Sequence, residues 1–236
     1  MENIIIQPTA KLLQMENEVK EVHIKLNNFC KENNEFNKIY KGCLIYGSPL
    51  YKNPNILFFG INPGGSWDYY KENGFFKPQQ YNPNGYGVFW EEIKECLKRI
   101  EKEELIENMV ITNRYFFATD NTEILTKQFF EKYIEKYYKE MGFKNEWEVV
   151  NKQEKWTRTI IEELSPNLII AGGRTIWERF NFLNPEIIET QCKNIKILKI
   201  NKIILIAYQR IPRGNKMSNE TKKEFIEYLE KYTNEL

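Results

Sequence analysis

The chain reads as an α/β protein with three layers, α/β/α, around a central, mainly parallel β-sheet, and three observations predict this. Ile56 to Phe59 is an uninterrupted apolar run, and Asn108 to Thr112 and Asn167 to Ala171 are largely apolar runs of similar length, as strands covered on both faces require. Stretches of helical periodicity separate these runs, which is the spacing of strands joined by crossover helices. At 236 residues with 42% hydrophobic content, the chain can bury one substantial core and is short for two. One domain over residues 1–236 is therefore expected, with residues 1–50 as a helical N-terminal extension packed on it.

Taken in order, Thr9 to Lys31 has a helical pattern. Ile56 to Phe59, rich in β-branched and aromatic residues, is the first strand, and Gly60 permits a sharp exit at its carboxyl end. After a loop rich in Gly, Pro, Asn and Tyr, Val88 to Ile100 reads as a helix with Phe89, Ile93, Leu97 and Ile100 on one face. Asn108 to Thr112 is the second strand, and Thr122 to Tyr138 and Lys152 to Leu164 are helical. Tyr133, Tyr137 and Tyr138 suit a packing stripe better than a base-stacking platform. Asn167 to Ala171 is the third strand, and Arg174 to Phe180 begins a helix after the Gly172-Gly173 turn. Ile195 to Ile200 and Lys202 to Ala207 are strands, and Ser218 caps a last helix with Phe225, Ile226, Leu229 and Tyr232 facing inward.

Composition removes several function classes. Lys and Arg number 34 against 33 Asp and Glu, so a nucleic-acid partner has to be held by a local basic patch. Cys30, Cys43, Cys96 and Cys192 are scattered without a CxxC pair, and His23 is the only histidine, so no zinc or iron–sulfur site is expected. No cofactor is called for. Reduced thiols fit a cytosolic protein. No stretch approaches the ~20 apolar residues of a membrane span, and the N-terminus is too acidic and polar for a signal peptide. A cytoplasmic chain without a membrane partner is expected, and we take it to be a monomer.

A parallel sheet gathers its strand exits on one edge, where ligands of open α/β sheets bind. The exits carry Asn62 within Gly60-Ile61-Asn62-Pro63-Gly64-Gly65, then Asn113 with Arg114, then Tyr208-Gln209-Arg210-Ile211-Pro212-Arg213-Gly214-Asn215. Such a site is rich in amides and free of histidine. His23 falls in the first helix, so no Ser/His/Asp or Cys/His arrangement can be assembled, and hydrolysis has to rest on positioning and electrostatics. Read from the residues alone, Asn62 and Asn113 can equally be turn asparagines, Phe89 suits the core, and the last loop can be a solvated basic loop.

Four motifs in this order resemble those of the uracil-DNA glycosylase superfamily: Gly60-Ile61-Asn62-Pro63-Gly64, Gly87-Val88-Phe89-Trp90, Ile111-Thr112-Asn113, and the loop Gln209 to Asn215. The first two are most similar to the mismatch-specific uracil/thymine branch. The last loop, with Pro212-Arg213-Gly214-Asn215 before a helix, is more similar to the single-strand-selective branch. The resemblance runs from about Tyr46 to about Leu229.

The resemblance implies an enzyme that flips a nucleotide out of DNA and hydrolyses its N-glycosidic bond. Asn62 then positions the attacking water, and Asn113 reads the base through one donor and one acceptor. Phe89 supplies the ring on which the base stacks, Ile61 lies beside the base, and Gly64 stands where strict uracil enzymes carry a tyrosine, which implies a wider pocket for thymine or other 5-substituted pyrimidines. Relatives place a histidine in the last loop to stabilise the departing base; here Gln209 or Arg210 occupies that region. Ile211 with Pro212 suits a wedge into the duplex, and Arg213, Asn215 and Lys216 suit contacts to the DNA backbone. The turn at Gly172-Gly173-Arg174 lacks the lysine and spacing of a P-loop and reads as a tight turn, although Arg174 would lie on the DNA side. No lysine is placed to form a Schiff base, so lyase activity is not expected. The alternative is a glycosylase-like module that binds or senses a modified base, nucleotide or DNA without turnover.

Overall fold

The structure, a computed structural model, describes residues 5–61, 63, 87–119, 132–173, 175–189, 193–209 and 217–234, with residues 87–90 and 189 described by their backbone alone. Thr9 caps α1 (Ala10–Glu32), its hydroxyl accepting from the Leu12 amide, and α2 (Asn34–Ile39) follows directly, capped by the Asn33 side chain. Then come β1 (Tyr40–Cys43), β2 (Ile56–Gly60), α3 (Gly87–Arg99) and a 3-10 turn at Glu103–Ile106. Next are β3 (Val110–Asn113), β4 (Phe117–Thr119), a short helical turn at Glu135–Tyr137 and α4 (Glu148–Leu164). The chain continues with β5 (Leu168–Gly172), a 3-10 helix at Ile176–Leu183, β6 (Glu186–Glu189), β7 (Ile195–Ile200), β8 (Ile203–Tyr208) and α5 (Asn219–Thr233).

The central sheet has six strands in the order β3-β2-β5-β8-β7-β6. β3, β2, β5 and β8 are mutually parallel, β7 runs antiparallel to β8, and β6, antiparallel to β7, closes the sheet on the far side. β1 and β4 form a separate antiparallel pair. The free side of β3 is covered by the segment before β2. Gly47 donates to the Ile111 carbonyl at 2.7 Å, Ile111 donates to Ser48 Oγ at 2.8 Å, and Thr112 Oγ1 donates to the Ile45 carbonyl at 2.6 Å. The other edge, β6, has no partner on its outer side among the described residues, and Ile187 on it is 63% exposed.

Alternation along the strands sorts the core onto two faces. Leu57, Phe59, Val110, Ile169, Ala171, Leu205 and Ala207 face α1 and α4, joining Leu12, Val19 and Leu26 of α1 and Trp156, Ile160 and Leu164 of α4. Ile56, Phe58, Ile111, Leu168, Ile170 and Ile206 face α3 and α5, meeting Ile93 and Leu97 of α3 and Phe225 and Leu229 of α5. Helices thus cover both faces, compatible with the three-layer arrangement read from the sequence. The N-terminal helix belongs to the same core cluster as the sheet, through residues at helical spacing. Among the described residues, no helix is long and apolar enough to cross a membrane.

Several expected boundaries shift. α4 begins at Glu148, four residues before Lys152, because the Glu148 carboxylate accepts the Lys144 amide at 2.7 Å and pairs with Lys152 Nζ at 2.9 Å, which fixes the first turn. The helix expected from Arg174 is a 3-10 helix over Ile176–Leu183 bounded by left-handed residues, Thr175 with φ 48° and Asn184 with φ 49°. Residues 122–131 of the expected helix, and Arg174, lie outside the described residues. Tyr133 is buried, and Tyr137 and Tyr138 pack against the same core. Ser218 caps α5 by accepting from the Thr221 amide, with Phe225, Leu229 and Tyr232 buried. α2, β1, β4 and β6 were not expected from the sequence.

Candidate functional site

The four parallel strands deliver their carboxyl ends side by side. Gly60 pairs with Asn113, and Gly172 with Tyr208. Main-chain bonds carry the alignment one or two residues further: Arg114 donates to the Gly60 carbonyl and Tyr115 to the Ile61 carbonyl, each at 2.8 Å, and Gly173 donates to the Tyr208 carbonyl at 3.0 Å. The exits are therefore fixed by backbone hydrogen bonds, which hold whatever side chains project from them.

Asn113 is the best-defined polar group on this edge. It is half-buried, and its side-chain amide makes no hydrogen bond with the described residues. Its Oδ1 lies so close to Gly60 that a Cβ at Gly60 would stand 2.6 Å from it. A side chain at Gly60 would displace the amide. Asn113 follows Ile111 by two positions and so projects toward the α3 face. α3 runs back from the exits to the start of β3 as a crossover helix, about 20 Å long against about 17 Å for a five-residue strand, so its first turn, with Phe89, lies at the exit edge on the same face as Asn113.

One turn beyond Phe89, Glu92 is buried and its Oε1 accepts the Met217 amide at 2.7 Å. That contact fastens the residue before the α5 cap to the start of α3. Its acceptor is a carboxylate next to a helix N-terminus, where negative charge is favoured.

Ile61 turns the other way. Its side chain fills the space over Gly173, where a Cβ would overlap it, and its carbonyl is taken by Tyr115. The role beside the base that the resemblance implies for Ile61 is therefore confined to its backbone, since the side chain locks β2 to β5. Gln209 is half-buried, with its amide donating to the Asn194 carbonyl at 2.7 Å, so the β7–β8 ladder continues through it. Tyr208 belongs to the α3/α5 face, and alternation turns Gln209 to the opposite one. Three strand spacings, about 14 Å, separate it from Asn113. The geometry thus does not bring Gln209 and Asn113 onto one base. Asn62, Gly64, Arg210, Ile211, Pro212, Arg213, Asn215 and Lys216 lie outside the described residues, as does the side chain of Phe89.

Two of the thiols, Cys96 and Cys43, are unsuited to act as nucleophiles. Burial pushes the Cys96 thiol up to about 12 and Cys43 well above the ordinary range, so neither supplies a thiolate at neutral pH. His23 is on the buried side of α1, with Nδ1 2.6 Å from the Tyr40 hydroxyl. Among the described residues, no group of three or more His, Cys, Asp or Glu side chains could hold a metal. What the sequence concealed was Arg114: it follows Asn113 at a turn, yet it is only 2% exposed and projects into the α4 face.

No family model matches this chain, and no curated protein matches it.

Proposed function

We propose that the chain is a monofunctional DNA glycosylase of the uracil-DNA glycosylase type, acting on uracil or on a mismatched or 5-modified pyrimidine flipped out of DNA. The observation that carries the reading is the Asn113 amide: unbonded, at a parallel-sheet exit, pressed against a glycine, and on the same face as the first turn of α3 with Phe89. Nδ2 can donate to O4 of uracil while Oδ1 accepts N3–H, and the donor strengthens as negative charge grows on the departing base. Water adds to the sugar C1′ as the C1′–N1 bond breaks, and the bonding pair leaves with the base, which is protonated afterwards. In this reading Asn62 orients the water. An amide accepts the water's proton poorly, so the rate should fall below that of relatives with a carboxylate there. Arg210 is left as the candidate for the base-stabilising group, with Ile211 to Lys216 reaching DNA.

The experiment is a panel of oligonucleotides, single-stranded and duplex, each with one uracil, mismatched thymine or 5-modified pyrimidine, scored for abasic-site formation. Turnover lost in Asn62→Ala with binding retained supports the enzyme. Binding without abasic sites on any substrate would replace it with a sensor of modified bases. Activity on free nucleosides without salt-sensitive DNA binding would replace both.

A further inference from the structure

We infer that the seam between α4 and the 176–183 3-10 helix is an oxyanion site that takes a phosphoryl group. The inference needs no assumption about base excision. At its centre the Arg114 guanidinium is stacked between the rings of Tyr115 at 5.0 Å and Phe182 at 4.6 Å. Its Nε donates to the Arg179 carbonyl at 2.8 Å and its Nη1 to Thr157 Oγ1 at 3.3 Å, and the Thr157 hydroxyl in turn donates to the Gln153 carbonyl at 2.9 Å. Among the described residues, no carboxylate pairs with Arg114. Burial is the strongest influence on Arg114 and holds its pKa below the usual guanidinium value, while Tyr115 and Glu154 favour its charged form and Arg179 opposes it.

Two further arginines approach the same ring system. Arg158 on α4 lies 5.7 Å from the Phe182 ring and donates from Nη2 to the Phe182 carbonyl at 3.0 Å. Arg179 lies 5.9 Å from the Tyr115 ring, and its Nη1 donates to the Tyr115 hydroxyl at 3.4 Å. The Arg179 Nε is buried with no hydrogen-bond partner, and both amide atoms of Gln153, a wholly buried residue, have none. Three guanidinium groups with no ion-pair partner among the described residues thus surround two rings, next to the unpartnered Arg179 Nε and Gln153 amide.

Ring contacts recover only part of what burying a cation costs, and a buried donor without a partner adds to that cost. An oxyanion with several acceptor atoms removes both costs at once. Arginine forks match the oxygens of a phosphoryl group, and Nη2 of Arg114, Nε of Arg179 and Nε2 of Gln153 remain to donate. A half-buried Arg179 and an exposed Arg158 leave an approach from solvent. The phosphoryl group has three possible sources: inorganic phosphate, a terminal 5′-phosphate, or an internal phosphodiester of a strand crossing the exit edge.

The test follows the arginine Nε–Hε resonances of the full chain while inorganic phosphate is added against chloride of equal ionic strength. In parallel, affinities are measured for one oligonucleotide carrying a 5′-phosphate, a 5′-hydroxyl, or methylphosphonate linkages. The expected result is a saturable shift of the Arg114 and Arg179 resonances by at least one probe. Arg179→Gln, which leaves the buried Arg114 stack in place, should reduce that affinity about tenfold with thermal stability unchanged. Preference for the 5′-phosphate assigns a strand terminus, equal affinity lost with methylphosphonate assigns the backbone, and a response to phosphate alone assigns a free ion. The inference is overturned if none of these probes shifts the resonances, or if Arg179→Gln and Arg158→Gln both bind every probe as the native chain does. A site that binds phosphate in a chain that excises no base would leave this inference standing while the proposed function fell.

Discussion

The two faces of the sheet use their side chains differently. Toward α1 and α4, Phe59, Phe116, Phe117, Trp156 and Phe180 make an aromatic layer in which Phe116 and Trp156 stack at 5.9 Å. Toward α3 and α5, the layer is mostly Ile, Leu and Met, with Phe58, Tyr208 and Phe225 among them. The polar residues at the exits follow this division: Arg114 is clamped between rings on the aromatic face, while Asn113, one residue earlier, keeps its amide unbonded on the aliphatic face. Consecutive residues of one turn are thus given opposite treatment by the pleat alone. One face is built to hold, the other to present.

The sharpest way to break that contrast is to remove an anchor of the aromatic face. Trp156 is fully buried, and its Nε1 donates to Glu18 at 2.9 Å across the α1–α4 contact. Trp156→Ala should cost about 3–5 kcal/mol, read as the midpoint of urea unfolding, while folded molecules keep whatever rate of base release the proposed function gives the native chain. An equal loss of rate per folded molecule would show that the faces are not separable. On the other face the expectation inverts. Asn113→Ala should lower base release roughly ten- to a hundredfold, the ~1–3 kcal/mol of a bidentate base contact, with little change in melting temperature. Gly60→Ala should act in the same direction by pushing on Oδ1. A large drop in stability in Asn113→Ala with unchanged rate would make Asn113 a structural turn residue.

The smallest effect concerns Glu16, on α1, whose carboxyl is raised to about 7 by burial. The folded chain therefore favours the neutral acid. The stability this brings is complete below the ordinary value of 4.5 and is lost as pH rises through about 7. Glu16→Gln should match the native chain near pH 4 and melt at a higher temperature at pH 8. Solvent screening at this half-exposed group limits the gain to about 1 kcal/mol. Parallel melting curves of the two proteins across this range would show the Glu16 carboxyl to be ordinary.

The strands with continuous apolar runs could be read directly, because burial on both faces leaves no polar position in them; β2 and β5 fall within a residue of their expected limits. β1, with Lys41 and Gly42 inside it, has no such run, and β6 is a four-residue edge strand, Glu186 to Glu189, whose two isoleucines are exposed; neither has a period long enough to register. At the site, chain order was enough to gather the exits of β2, β3, β5 and β8 on one edge. It was not enough to assign faces: Gln209 and Ile61 turn away from Asn113 because the ladder fixes their parity, and parity depends on register that a sequence does not display. Arg114 was hidden for another reason. A cation after a strand reads as solvated, and only the rings of Tyr115 and Phe182, separated by 67 positions in sequence, reveal it as buried.

Among the described residues, β6 is a sheet border with no strand on its outer side, and on it an isoleucine is 63% exposed. Such a border can recruit a second chain into a continuous ribbon. Two details work against that outcome: the strand is only four residues long, and its register slips between Ile187 and Glu189, which twists the border away from a flat template. Glu186 adds a charge that a second copy, arriving antiparallel, would have to meet with its own. The far rim of the sheet thus carries its own safeguard against polymerisation.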